Sequence, residues 1–179
     1  MFTKANAEAY FNAEKSESLL FVIIGILAIL LALGLFFFQR SPFCKGFAIP
    51  LALIGIIQLV AGATVYNRSD KQRVDIVYKM DIDPAALQTA EIPRMEKVMR
   101  SFELYRNTEI ALLVIAIALF LYTRNKAPLQ FWTGIAVALA IQASIMLIAD
   151  GFAESRGRIY LAELKAHIAP KPASFNCCS

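Results

Sequence analysis

Four long apolar runs constrain this chain more than anything else in it. They cover residues 19–38, 47–66, 110–122 and 129–149. A bilayer core of about 30 Å takes about 20 apolar residues to cross as a helix. The first, second and fourth runs have that length and hold no charged residue. Backbone amides have no partner in hydrocarbon except their own helix, so such runs are helical. The chain is therefore expected to be all-α, an integral membrane four-helix bundle of up-down-up-down topology. It would occupy residues 1–168 as one domain, with 169–179 as a disordered tail.

The third run is short. Counted back from the polar link at 124–128, a full crossing that ends at residue 123 begins near residue 103. This sets the expected membrane helices at about 19–38, 47–66, 103–123 and 129–150. The links at 39–46 and 124–128 are short, carry two cations each and contain Pro42 and Pro128. Each closes an antiparallel helical hairpin. Gln58 and Gln142 sit about halfway along the second helix of each pair, which suggests a weak internal repeat. Convergent hydrophobicity accounts for it equally well.

The polar flanks keep helical periodicity. Pro93 marks a helix start, and Met95, Val98, Met99, Phe102 and Tyr105 then form one stripe. Ala153, Gly157, Tyr160, Leu161, Leu164 and Ile168 continue the fourth run in the same way. Asp83-Pro84 also reads as a helix start. An even number of crossings puts both termini and the central link on one side. The helices are thus expected to run past the bilayer on that side, as a stalk built from 1–18, 67–102 and 151–168. About 15 extra residues add roughly 20 Å. The competing expectation is that these flanks lie on the bilayer surface as amphipathic helices. The purely cationic short links argue for the reverse orientation, but Lys and Arg near the helix ends favour a cytoplasmic stalk, and cytoplasmic termini are the expectation.

A crossing that begins near 103 brings Arg106 and Glu109 into the membrane zone. Glu109 then lies about 9 Å deeper than Glu17 does on the first helix. Charges at such depth are costly unless they face the bundle interior. Helical phase turns Arg106 and Glu109 onto the Met95 stripe, Glu17 onto that of Tyr10 and Ile24, and Asp150 onto that of Met146 and Gly157. Tyr66 and Arg73 share a face with Gln58 and Gly62. The expected site is an interior polar layer of Glu17, Tyr66, Arg73, Arg106, Glu109 and Asp150 at the mouth of the bilayer. Arg106 is placed to pair with Glu109 along one helix or with Asp150 across the bundle. Such a layer could simply fix helix register or hold a ligand, ion or proton. Gln58 and Gln142 are read as mid-membrane helix contacts, and Gly55, Gly62 and Gly134 as positions of close approach.

Several chemistries find no support. The net charge of +4 reflects flanking Lys and Arg, with no interleaved basic and aromatic pattern for nucleic acid. Cys44, Cys177 and Cys178 form no CxxC pair, and one His cannot build a conventional zinc site. The Glu-x-x-His pattern of di-metal bundles is missing, and His167 lies too far from the membrane for haem. No nucleophile–base pair or phosphate loop is present. The expectation is a non-enzymatic membrane protein without a cofactor, acting through a partner that is another membrane protein or a second copy. The alternative is a small transporter or ion-handling protein that uses the interior carboxylates and arginine.

Overall fold

The computed structural model describes residues 3–83, 85 and 87–168, and the tail with Cys177 and Cys178 lies outside the described residues. Four helices dominate it: α1 Lys4–Phe38, α2 Pro42–Ile82, α3 Ile92–Thr123 and α4 Gln130–Ile168. Each is long and apolar enough to cross a membrane. Among the described residues there is no strand.

Local chemistry explains the boundaries. Thr3 caps α1 by accepting the Asn6 amide at 3.4 Å. After Phe38 only residues 39–41 separate α1 from α2, because Pro42 fits the first turn of a helix. Asp83 leaves helical geometry and closes α2, its amide donating to the Lys79 carbonyl at 3.0 Å; residue 84 lies outside the described residues. A π-helical turn, Leu87–Glu91, leads into α3. Pro93 has no N–H, so the ordinary bond to the carbonyl four residues back cannot form, and the wider turn sits at that point. A 3₁₀ turn, Ala127–Leu129, joins α3 to α4.

α1 packs along α2, α2 along α4 and α4 along α3. The two hairpins thus meet through α2 and α4, and α1 and α3 form the outer pair. Glycine brings the axes together. A Cβ on Gly25 would lie 2.7 Å from the Gly55 carbonyl oxygen, and one on Gly62 would lie 2.8 Å from that of Ser18. Between α2 and α4, Gly46 meets the Phe131 backbone and Gly134 that of Phe43 more closely still.

The two ends of the bundle pack by opposite rules. In the apolar half most of the buried residues are small, Ala28, Ala32, Ala48, Ala116, Ala136, Ala138 and Ala143, with Leu51, Gln58 and Gln142 as the larger ones. Large side chains there point outward, Leu27 and Ile57 at 60% and 61% exposure and Phe38 at 88%. Water does not tolerate such a coat, whereas lipid does, and lipid-facing bundles associate through small residues. In the polar half large side chains are inside: Phe11, Ile76, Leu87, Met95, Tyr160 and Leu164 form one core fed by all four helices. Large apolar side chains inside and polar ones outside is the packing found in water-soluble bundles.

Candidate functional site

The ion pairs of the described residues all lie in the polar half and at its junction with the apolar half. The six expected polar residues do not form a single layer. Tyr66 and Arg73 sit on the α1–α2 face. Lys15 there lies 4.9 Å over the Tyr66 ring and bonds Asp70, and Arg73 approaches Asp70 at 3.8 Å. Glu17 takes both terminal nitrogens of Arg156 from α4. Arg106 pairs with neither Glu109 nor Asp150. It donates to both oxygens of Glu154 at 2.7 and 2.6 Å, and Arg158 grips the same carboxylate.

This leaves two acids together. Glu109 on α3 is 7% exposed, its side chain adjoins Asp150 of α4, and its Oε2 has no hydrogen-bond partner among the described residues. Two charged carboxylates at that range repel, and the two can hydrogen-bond each other only when one of them holds a proton, which still leaves Glu109 Oε2 unsatisfied. A proton, a cation or a donor group from a ligand relieves both problems. Arg156 follows Asp150 by six residues, so the Glu17–Arg156 pair lies about 9 Å from the acid pair along α4. Glu154 and Arg106 stand between the two levels.

Both levels open into one cavity of about 630 Å³, lined by all four helices. It lies where α1 and α3 part. Its polar end carries Glu17, Arg156, Glu109 and Asp150, and its deep wall is Phe21, Ile54, Leu112, Leu139 and Met146. Gln142 lines it and is buried, whereas buried Gln58 lies between α2 and α4 and donates to Met146 Sδ at 3.2 Å.

A second buried cluster closes the polar half above the cavity. Glu91, 3% exposed, accepts Arg94 at 2.7 and 2.6 Å and the Tyr160 hydroxyl at 3.0 Å. Tyr10 stacks on Tyr160 with ring centroids 4.3 Å apart. Burial and the neighbouring acids push both phenols well above their ordinary range, so both keep their protons.

Glu154, Arg156, Glu91 and Arg94 were not singled out from sequence. A signal existed for Glu154, four residues after Asp150 and three before Gly157, hence on the same face. Glu91 and Arg94 are an i, i+3 pair astride Pro93. Nothing local marks Arg156 as the partner of Glu17.

The Arg106 and Arg158 hydrogen bonds hold the Glu154 carboxyl below its ordinary value of 4.5, against the opposing effect of burial. A depressed carboxylate stabilises the fold above its unfolded value, and that contribution is lost as pH falls through the depressed one. The purified protein in neutral micelles is expected to lose thermal stability below about pH 4.5, and Glu154→Gln to flatten that part of the profile. An unchanged acid limb in the variant would show that the clamp does not set it.

Comparison with family models, with curated proteins and with solved structures gives no match to this chain.

Proposed function

We propose that the chain is a small, non-enzymatic integral membrane protein that handles an ion or small solute at an interior carboxylate site. The apolar half would cross the bilayer four times, with both termini on one side and the polar half projecting there. The observation that carries this reading is the convergence of Glu109 and Asp150, without a cation of their own, on a cavity that opens between α1 and α3. A register-fixing layer would be expected to satisfy its members, as the Arg106–Glu154–Arg158 clamp does. An unpaired buried acid instead adds cost unless something else comes to it.

The test is flux into proteoliposomes, of protons with an internal pH dye and of sodium or potassium with an ion dye. Glu109→Gln and Asp150→Asn are each expected to cut flux at least tenfold. A second reading, an accessory subunit of another membrane protein, is favoured by Val74, Tyr78 and Ile82. These stand one turn apart on α2 in the polar half and are 62%, 61% and 63% exposed. Flux indifferent to both acid substitutions, together with a membrane partner captured by cross-linking at Tyr78, would replace the first reading by the second.

A further inference from the structure

The cavity has a direction, and the direction specifies a ligand. On the apolar side of the acids, the lining on α4 runs from Asp150 back to Leu139, about 16 Å along the helix. That is close to half of the roughly 30 Å hydrocarbon thickness, the depth of one leaflet. Over this length the wall is mainly apolar, apart from buried Gln142. The volume of about 630 Å³ falls in the range of about 300–1,000 Å³ that holds a drug-sized molecule. Because α1 and α3 part beside it, the cavity is a groove between them that runs from Tyr10 and Val98 in the polar half to Leu112 and Leu139 in the apolar half.

The polar end selects a charge. Four acids and two arginines line the cavity: Glu14, Glu17, Glu109 and Asp150, with Arg68 and Arg156. Arg156 is taken by Glu17, and Arg68 lies 3.7 Å from Glu14. Arg106, the one cation that could have reached the acid pair along α3, is held by Glu154. What remains is a pair of acids with a buried, unpartnered Glu109 oxygen. Among the described residues no group of three or more His, Cys, Asp and Glu could hold a metal ion. An ammonium fits two carboxyls better, since its three N–H donors satisfy both acceptors and its charge removes their repulsion.

The order of the parts narrows the choice further. The acids lie between the apolar wall and the Glu17–Arg156 level, about 9 Å short of the latter. A ligand whose chain lies on that wall meets the acids at its first polar atom. Resting on the carboxylate-site reading above, we infer that the groove between α1 and α3 binds a cationic amphiphile whose protonated amine is attached directly to its apolar chain. The amine sits between Glu109 and Asp150, and the chain lies along Ile54, Leu112 and Leu139. A phospholipid with its ammonium at the outer end of the headgroup would carry that charge past the acids to the Arg156 level, where a cation already stands.

The test is a titration of the full chain in neutral maltoside micelles, followed by native mass spectrometry, with dodecylamine, dodecanol, butylamine and phosphatidylethanolamine as ligands. Dodecylamine is expected to bind saturably and at least tenfold more tightly than dodecanol or phosphatidylethanolamine. Glu109→Gln, nearly isosteric, should weaken dodecylamine at least tenfold. Leu139→Trp, which fills the wall but keeps both acids, should weaken dodecylamine and leave butylamine unchanged. Equal binding of amine and alcohol, or wild-type dodecylamine binding by Glu109→Gln, overturns the inference; tighter phosphatidylethanolamine binding overturns the placement of the amine. If proton or sodium flux still depends on Glu109 while dodecylamine binding does not, the amphiphile is wrong and the carboxylate site stands. If neither depends on it, both fall.

Discussion

Glu91→Ala is expected to destabilise the protein by about 2–3 kcal/mol, because it takes the buried carboxylate partner from a part-buried guanidinium and a buried phenol. Arg94 gives Glu91 two charge-assisted bonds and lies with its guanidinium 5.7 Å from the Phe11 ring centre, inside the polar-half core. Its charge stays in place when the carboxylate goes, since an arginine does not deprotonate under these conditions. The Tyr160 hydroxyl loses its acceptor in the same step. Removing both charges should cost far less than removing one, so Glu91→Gln with Arg94→Met should recover much of the loss. Thermal unfolding in maltoside micelles, with limited proteolysis between α2 and α3, measures both. A Glu91→Ala protein that melts with the wild type would mean that the network does not hold the four helix ends together.

Gly134→Val is expected to cost about 3 kcal/mol and to separate the two hairpins. A Cβ at residue 134 meets the Phe43 carbonyl and lies 2.8 Å from the Phe47 amide nitrogen. These are backbone atoms, so no side chain can swing away. The helices must move apart, which also breaks the Gln58–Met146 contact along the same seam. Gly34→Val is the control, because nothing lies within 4 Å of that position. Disulfide cross-linking of cysteines placed on facing turns of α2 and α4 reports the separation. Wild-type cross-linking in Gly134→Val would show that this seam does not depend on close approach.

The two experiments bear on different halves of the bundle, and the halves are built by different forces. Where water would surround the helices, on the reading proposed above, burying Phe11, Met95 and Leu164 contributes the driving force. Where lipid would surround them, on the same reading, an apolar side chain gains little by turning inward. Association then rests on close packing of small residues. The Glu154 clamp and the acid pair lie where these regimes meet, so a change of partner there is felt by both.

Much of this was legible from the chain alone. Run length and the absence of charge specified four helices, and Pro93 marked a helix start within a residue or so, whereas the link expected at 39–46 is helical from Pro42 onward. Period alone turned Glu109 and Asp150 toward a common interior, because the angle between residues on a helix is fixed by the backbone. What periodicity does not encode is the axial offset between neighbouring helices, and ion pairing depends on that offset. Moving α3 by one turn along α4 would present Arg106 to Asp150 instead of Glu154. The offset is set by contacts far apart in sequence, such as Gly134 on the Phe43 backbone and the core around Met95. The tertiary structure therefore decided that Arg106 leaves the acids unpaired, that Glu17 takes Arg156, and that α1 and α3 stand apart to leave a cavity. Helical phase is a property of each helix by itself, whereas relative height and the space between helices belong to the packed assembly.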